Sequence, residues 1–412
     1  MSDIDDPTND EVLIGLAEQP ELDAILRVMC AAFRMEYSAA QPIYFNDPHL
    51  NANDKMVVRC AQKIASCVTL VAGHTSVDQA TLTICGLAGV ATAPAYQRRG
   101  FATLLIESAI SEAAKRGAHL ALLTATQPEY YERRGWAVVG RNYLLQIDRN
   151  TIPKFNSRLK VRRARLDDAD RINTLFDGYA GYSLKCSRSV LQWQGLLARL
   201  RQSVVVTDAS GEILAYMLLQ TRLGRVNIGR PASPPVVHVL EALATTVCAK
   251  QALLGWLAGR EGPDRIDFEL PMPMLRDLGL LDIDEINLRV TGGCMGYITN
   301  FPAAIAALSQ NWGQPCSNTV TFRCRYSGGA ESVVSVRSDR GKVLIIPQAA
   351  IPDHQPVVDG AARIWAQLIT GYISAPDAVA LGELTVNDNK TEDELIAIFP
   401  SRSPMLAPPD LF

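Results

Sequence analysis

The chain has 412 residues, of which 48% are hydrophobic and 20% are charged, and its formal net charge at pH 7 is -3. A chain of this length is expected to form two or three domains, each with its own core. The near-zero charge gives no reason to expect a nucleic-acid partner. The acidic start "MSDIDDPTNDE" lacks the features of a secretory signal, and no apolar run approaches the ~20 residues of a membrane span. We therefore expect a cytoplasmic protein.

The cysteines and histidines do not form a metal-binding pattern. Nine cysteines are scattered along the chain without a C-x-x-C pair, and the five histidines are isolated from one another. Scattered cysteines of this kind favour reduced, mostly buried thiols over disulfides or zinc ligands. We expect no metal site.

The first 150 residues alternate between helix and strand patterns. A helix-period segment near Leu22 to Phe33 precedes the strand-like runs "CVTLVAG" and "ATLTICGLAGVAT", then a helix from about Gly100 to Arg116 and the strand "HLALLTA". Gly117 is placed to end that helix in the left-handed conformation. The residues expected on its buried face are Phe101, Leu104, Leu105, Ala109, Ile110 and Ala113. The pattern predicts a mixed α/β domain over residues 1–150.

Two further blocks follow. Residues 151–290 repeat the strand and helix order in degenerate form, with a hairpin turned at Ser210 and Gly211. This block has no glycine-rich turn between a strand and a helix. Residues 291–412 contain three strand-like runs, "TVTFRCR", "SVVSVRS" and "GKVLIIP", and the helices "DGAARIWAQLITGY" and "KTEDELIAIF", which together predict a small α+β domain.

The stretch "TAPAYQRRGFATLL" joins a strand to a helix through two arginines and a glycine. If the helix begins near Gly100, the amides of Arg98 to Thr103 include first-turn N–H groups at the positive end of the helix dipole. Such a turn suits a diphosphate, because Gly100 permits a close backbone approach. The alternative is an ordinary turn with two solvated arginines, since short glycine motifs recur by chance.

The wider pattern, V-A-T-A-P-x-x-Q-R-R-G-F-A-x-x-L-L followed by a strand and "YYERRGW", resembles the GNAT superfamily of N-acetyltransferases over about residues 10 to 145. The resemblance implies acetyl-CoA as the co-substrate. It assigns the strand residues Val90, Ala91 and Thr92 to the pantetheine and thioester. It assigns the turn residues Arg98, Arg99, Gly100, Phe101, Ala102 and Thr103 to the diphosphate, and adds Thr126 and Gln127 as cofactor contacts.

The order of the three blocks resembles the Eis (enhanced intracellular survival) acetyltransferase family over the whole chain. That family implies two tandem GNAT-like domains, the second degenerate, a sterol-carrier-like C-terminal domain and a homo-oligomer that is commonly a hexamer. It also implies Tyr131 as the general acid and the C-terminal carboxylate of Phe412 as the general base. Two positions depart from the family: Gln97 replaces a more basic residue, and Leu411 stands where an acidic residue can occur.

The resulting hypothesis is acetyl transfer from acetyl-CoA to a primary amine, either of an aminoglycoside-type polyamine or of a lysine. The Val90 amide is a candidate oxyanion donor. From the residues alone Tyr130 and Tyr131 are equal candidates for the acid, and only the family spacing to Gly135 and Trp136 selects Tyr131. Glu129 and Glu132 are a further possible base pair, although solvated positions are expected for both.

A rival hypothesis assigns the function to the third block, as a binding site for a lipid or another hydrophobic ligand. Its helix "ARIWAQLITGY" is apolar enough to line a pocket, although packing against its own sheet is the commoner use of such a face. Stabilisation by acetyl-CoA rather than by a fatty acid would separate the two hypotheses.

Overall fold

A computed structural model describes residues 11–47, 50–155, 157–223, 234–310, 312, 319–339, 342–352 and 355–410. The described helices are α1 (Leu22–Phe33), α2 (Tyr37–Phe45), α3 (Phe101–Lys115), α4 (Pro128–Glu132), α5 (Ala169–Asp177), α6 (Val190–Arg199), α7 (Val247–Gly259), α8 (Met272–Asp277), α9 (Phe301–Ser309), α10 (Ala362–Thr370), α11 (Ala375–Ala380) and α12 (Asn389–Ile398). None of them is long and apolar enough to cross a membrane.

The strands form three sheets, as the mixed α/β expectation requires. The first sheet contains β1 (Val12–Leu16), β2 (Lys55–Cys60), β3 (Lys63–Val77), β4 (Ala80–Thr92), β5 (Leu120–Thr124), β6 (Ala137–Val138), β9 (Lys185–Cys186) and β15 (Cys294–Ile298). The second contains β7 (Asn142–Asp148), β8 (Lys160–Arg163), β10 (Val204–Thr207), β11 (Ile213–Arg222), β12 (Val236–Ala244), β13 (Arg265–Glu269) and β14 (Asn287–Thr291). The third contains β16 (Val320–Arg325), β17 (Glu331–Asp339), β18 (Lys342–Gln348), β19 (Val357–Ala361) and β20 (Leu384–Val386).

The first two sheets share one pairing scheme. In the first, β2, β3 and β4 pair antiparallel, β4 and β5 parallel, and β5 and β15 antiparallel. In the second, β10, β11 and β12 pair antiparallel, β12 and β13 parallel, and β13 and β7 antiparallel. The second block is therefore a structural repeat of the first.

The two sheets exchange one strand. β7 lies before residue 150 but pairs with β13 of the second sheet, whereas β15 lies after residue 290 but pairs with β5 of the first. Each strand fills the position that the other would take in an unexchanged fold. The sheets thus cross the boundaries at 150 and 290 that we expected from composition, because strand pairing over long separations leaves no local signal in the sequence.

The long helix α3 agrees with its predicted bounds. Gly117 follows it at φ +79°, as expected for a left-handed stop. Phe101, Leu105, Ala109 and Ala113 are buried against the first sheet. The prediction that Leu104 lies on the buried face is wrong, because this residue is 39% exposed. Ile106, which was not predicted on that face, is fully buried.

The third sheet packs its helices onto a shared core with the first sheet. Trp365 of α10 is fully buried, and its ring contacts those of Phe301, Phe322 and Phe399 at centroid distances of 5.0 to 5.8 Å. The apolar face of α10 is therefore occupied by aromatic side chains. This packing gives no support to the rival hypothesis of a ligand pocket along this helix.

Candidate active site

The candidate site begins where β4 separates from β5. The two strands pair at Ile84 with Leu120 and at Gly86 with Leu122, where the described pairing ends, yet β4 continues to Thr92. A register shift against β3 interrupts β4 between Ala88 and Ala91, and Gly89 there adopts φ +61°. A bulge bends and twists its strand, so the last residues of β4 turn away from β5. The last residues of β4 therefore have no described pairing with β5.

The residues expected to contact the pantetheine, Val90 to Thr92, lie on this bent end of β4. Val90 is half-buried against the core beneath α3, and Ala91 is buried on the opposite face, beneath α1. The buried hydroxyl of Ser66 donates to the Ala91 carbonyl at 2.7 Å and lies 2.9 Å from the Thr92 hydroxyl. Ser66 therefore fixes the bent end of β4. No signal in the sequence distinguishes it from other strand serines.

The turn "QRRG" lies between this strand end and α3. Arg98 adopts φ +63° and Gly100, the N-cap of α3, φ +84°. A positive φ in a residue other than glycine is strained and is common at functional loops. A Cβ at Gly100 would meet no atom within 4 Å, so the space above the turn is open. The first turn of α3 contains no acidic residue, and its amides face this space with the positive end of the helix dipole.

One of the expected amides is already used within the helix. The Thr103 N–H donates to the Gly100 carbonyl at 3.0 Å. One amide of the predicted diphosphate-binding set, Arg98 to Thr103, therefore already has a hydrogen-bond partner. The Thr103 hydroxyl instead contacts Tyr130 and Arg134. The Arg99 guanidinium lies over the rings of Tyr96 and Phe101, at 5.6 and 5.1 Å from their centroids, which holds its charge beside the turn.

The structure distinguishes Tyr130 from Tyr131. The Tyr130 hydroxyl lies 3.1 Å from the Thr103 hydroxyl, and the Arg134 guanidinium stacks over the Tyr130 ring at 3.8 Å while donating to Thr103 at 2.8 Å. Tyr130 is therefore attached to the first turn of α3. Arg134 lies within the "YYERRGW" motif, but nothing in the motif distinguishes it from Arg133.

Tyr131 has a different environment. Its ring packs edge-to-face on the buried Trp136 at 5.9 Å and on Tyr130 at 5.1 Å, and its hydroxyl has no hydrogen-bond partner among the described residues. Burial raises the pKa of this phenol above its ordinary value near 10, and the neighbouring Tyr130 adds to the shift. Tyr131 is thus a protonated donor at neutral pH. The alternative bases Glu129 and Glu132 are both exposed.

A cleft of about 620 Å³ lies between α3 and α4, beside the turn. Its lining residues are Thr103, Glu107, Gln127, Glu129, Tyr130, Arg133 and Arg134. Gln127, an expected cofactor contact, is therefore part of this wall, and the exposed Thr126 directly precedes it. The cleft thus joins the first turn of α3, at Thr103, to the segment of Gln127 to Arg134. An unpaired strand end and a helix N-terminus without acidic residues fit a long anionic thioester such as acetyl-CoA, and the adjoining cleft carries Arg133 and Arg134 as well as Glu107 and Glu129.

Comparison with known proteins agrees with this geometry. Residues 14–139 match the family model described as an acetyltransferase (GNAT) domain. These residues are therefore similar to a GNAT acetyltransferase domain. The matched segment includes the bent end of β4, the turn at Gly100 and both tyrosines. No curated protein sequence matches the chain.

Several solved structures share the fold of the whole chain. A GCN5-related N-acetyltransferase from Anabaena variabilis matches with a TM-score of 0.77 and 18% identity, covering 98% of this chain and 100% of that one. A probable N-acyltransferase from Enterococcus faecalis matches with a TM-score of 0.81, 16% identity and the same coverage. Eis1 from Mycobacterium abscessus matches with a TM-score of 0.71 and 15% identity, covering 96% and 99%. The resemblance to the Eis family is thereby confirmed as a likeness of fold.

The C-terminal segment enters the centre of the molecule. The Arg141 N–H donates to the Pro404 carbonyl, and the Met405 N–H donates to the Ser183 carbonyl, each at 3.1 Å. Residues 404–407 are buried, and the Asp410 side chain reaches Arg188. Phe412, the expected general base, lies outside the described residues, as does Leu411.

Among the described residues no group of three or more potential metal ligands is found, and the described cysteines are free thiols, Cys248 alone of them being exposed. The groups that the site presents are backbone amides, the Tyr131 phenol and nearby arginines.

Proposed function

We propose that the protein is an N-acetyltransferase that uses acetyl-CoA to acetylate a primary amine. The observation that carries this proposal is the end of the β4 to β5 pairing ahead of the turn at Gly100, with Tyr131 on the segment that follows β5. Acetyl-CoA supplies an activated acetyl group on a thiol leaving group. The side chains and amides of this chain must bind the cofactor, stabilise the oxyanion and transfer the protons.

Binding is assigned to the turn and the strand end. The amides near Gly100 and the guanidiniums of Arg98 and Arg99 would hold the diphosphate, because charge-assisted hydrogen bonds of this kind are worth roughly 1.5–3 kcal/mol each. The bent end of β4, at Val90 to Thr92, would align the pantetheine by backbone hydrogen bonds in place of the missing β5 partner. The cleft bounded by Gln127 and Arg134 has room for the nucleotide.

Two proton transfers accompany the chemistry. The acceptor must lose a proton before it attacks, since an amine with a pKa near 10.4 is under ~0.1% neutral at pH 7. The carbonyl oxygen then gains negative charge, which the Val90 N–H at the strand end would stabilise. The Tyr131 hydroxyl protonates the departing sulfur, a role supported by the attachment of Tyr130 elsewhere. Burial raises the pKa of Tyr131 and so keeps its proton in place at neutral pH.

The base that accepts the proton of the acceptor is assigned to a carboxylate at Phe412. Support comes from the burial of residues 404–407, which carry the C-terminal segment into the protein rather than into solvent. For the acceptor we propose a small polyamine of the aminoglycoside type, with a lysine side chain as the second candidate, and for the assembly a homo-oligomer.

A panel of amines assayed for release of free CoA thiol tests the function. The panel contains an aminoglycoside, spermidine, a lysine peptide and an arylamine, with calorimetric titration of acetyl-CoA in parallel. Tight acetyl-CoA binding together with turnover of at least one amine supports the proposal. Absence of acetyl-CoA binding would contradict it, and binding without any turnover would leave a cofactor-binding protein of another function.

A further inference from the structure

The first sheet is partly exposed at the bulge of β4. Ala88, Gly89 and Val90 are partly exposed there, and so is Thr69, which pairs with Ala88 from β3. The residues that flank these positions in the two strands are at most 3% exposed. We call these four residues the exposed bulge. Because Val90 carries the candidate oxyanion donor, the exposed bulge lies where acetyl transfer is proposed.

Side chains of α1 and α2 border the exposed bulge on one face of the sheet. A Cβ at Gly89 would lie 3.0 Å from the Cε of Met29, a residue of α1. Tyr44 of α2 packs in the same apolar core as Met29 and Ala91. The core beneath α3 occupies the other face of the sheet. An acceptor that reaches Val90 therefore approaches along α1 and α2.

A buried lysine lies beside the exposed bulge on that face. Lys55 is 7% exposed and pairs with Thr69 across the ladder between β2 and β3. Its Nζ donates to the Thr69 hydroxyl at 2.9 Å and lies 5.0 Å from the centre of the Tyr44 ring. Opposed side chains in a sheet have Cβ atoms about 5 Å apart. Lys55, Thr69 and Ala88 therefore form one row across three strands, and the row ends at the bulge.

In the described part of the chain, no carboxylate accepts a hydrogen bond from Lys55. Burial raises the pKa of the neighbouring Cys67 thiol to about 12 and also raises that of the Tyr44 phenol, so both groups are neutral at neutral pH. Asp47 and Asp54 act on Lys55 only through longer-range charge, which partly offsets the lowering of its pKa by burial. An ammonium buried without an anion in contact is costly, and such residues concentrate at functional sites.

A positive charge at Lys55 acts on any amine that binds beside it. The ammonium contacts the side chain of Thr69, so it lies about one strand spacing, ~5 Å, from β4 and about 10 Å from a nitrogen that attacks beside Val90. A nearby like charge disfavours the protonated form of an amine. For unit charges about 10 Å apart near a protein surface, the neutral fraction of the acceptor rises about 10-fold.

We propose that the buried positive charge of Lys55 favours the neutral, nucleophilic form of the acceptor amine. Thr69 is its positioning residue, because the hydroxyl holds the ammonium toward the bulge. The assignment rests on the proposed function and leaves its acid and its base unchanged, since the proton of the acceptor still passes to that base. Lys55 eases this transfer without touching the reacting atoms.

Lys55→Met tests the proposal, because methionine has a similar length and no charge. The dependence of kcat on pH reports the ionisation of the bound complex. We expect kcat at about pH 7 to fall by about 10-fold and the ascending limb of the profile to move up by about one pH unit, without a rise in the KM of the amine. Lys55→Arg keeps the charge and is expected to keep the limb at the wild-type pH.

Two controls separate the charge from a structural role. Lys63→Met removes an exposed lysine of the same strand as Thr69 and is expected to change neither kcat nor the limb. An arylamine is already neutral at neutral pH, so its kcat should change little in Lys55→Met. If Lys55→Met does not fold, Thr69→Val replaces it and should move the limb in the same direction. A limb that stays at the wild-type pH would show that Lys55 is only structural.

A binding experiment distinguishes failure of this proposal from failure of the proposed function. Calorimetry of the panel amines with the CoA complex, in buffers of different ionisation enthalpy, counts the protons released on binding without any acetyl transfer. The wild-type protein is expected to release more protons per bound amine than Lys55→Met. If this difference is found but no amine is acetylated, the charge effect stands and the proposed function falls. Equal proton release with intact turnover would overturn the role of Lys55 alone, and if no amine binds, both proposals are wrong.

Discussion

The hydroxyl of Tyr130 lies 3.1 Å from that of Thr103, which joins α4 to the first turn of α3. This contact separates two adjacent tyrosines that the sequence presents as equivalent. It leaves Tyr131, whose hydroxyl has no partner among the described residues, as the phenol available to a substrate.

Replacement of the two tyrosines by phenylalanine should therefore have different effects. We expect Tyr131→Phe to lower kcat by about 100-fold, within the usual range for a general acid, and to leave acetyl-CoA affinity nearly unchanged. Tyr130→Phe should cost about 1 kcal/mol of stability through one lost hydrogen bond and should keep most of kcat. Steady-state kinetics with the best amine decides the matter, and the reverse ranking would show that the acid is Tyr130.

The pH dependence of kcat offers a second test of Tyr131. Because burial raises the pKa of this phenol, its protonated form persists to a higher pH than in a free tyrosine. The wild-type protein should therefore show no loss of kcat from ionisation of this acid until the pH exceeds about 10. A descending limb well below that pH that disappears in Tyr131→Phe would contradict the raised pKa.

The two glycines at the ends of α3 form a matched pair. Gly100 and Gly117 adopt φ +84° and φ +79°, and a Cβ at either would meet no atom within 4 Å. Valine at either position should cost about 1–2 kcal/mol from the left-handed conformation. Only Gly100→Val should also weaken acetyl-CoA binding, because its side chain enters the space above the turn.

Calorimetric titration and thermal unfolding of both variants measure these two effects separately. Equal acetyl-CoA affinities for Gly100→Val and Gly117→Val would place the diphosphate somewhere other than this turn.

Acid stability should depend on Asp168, the buried carboxylate of the second domain that binds Arg162 and Arg171. Burial alone raises its pKa, but hydrogen bonds from Arg162 and from the Arg165 amide outweigh this effect, so its pKa lies below 3.8. A lowered folded-state pKa contributes stability above the unfolded pKa, and the contribution is lost as the pH falls through the folded value.

Asp168→Asn should therefore lower stability by about 2 kcal/mol at pH 7, and the difference from wild type should shrink below about pH 4. Thermal unfolding of both proteins between about pH 3 and about pH 7, a range that spans the ordinary carboxyl pKa, measures this difference in stability. A difference that is constant with pH would show that the carboxylate charge is not responsible.

The strand exchange predicts the behaviour of an isolated first domain. A fragment of residues 1–150 lacks β15, which pairs with both β5 and β6, and carries β7 without its β13 partner. We expect this fragment to aggregate or unfold, because it exposes the edge of β5 and the apolar residues of β7. A fragment with a cooperative thermal transition and native acetyl-CoA affinity would contradict this expectation.

The sequence by itself determined the local parts of the site. The bounds of α3, the extent of β4 and the left-handed glycine at 117 follow from periodicity and from the conformational freedom of glycine, which act over a few residues. The assignments of the Gly100 turn to a diphosphate and of Tyr131 to the acid came from a family pattern that is equally local, and both stay predictions. These features need no knowledge of the rest of the chain.

Only the tertiary structure decided the remaining features. The exchange of β7 and β15, the attachment of Tyr130 to Thr103, the exposure of Leu104 and the contact of Arg188 with Asp410 all depend on residues far apart in sequence. Arg188 and Asp410 are separated by 222 positions. A charged side chain in the sequence is expected to be solvated, and only the folded chain brings its partners close enough to repay the cost of burial.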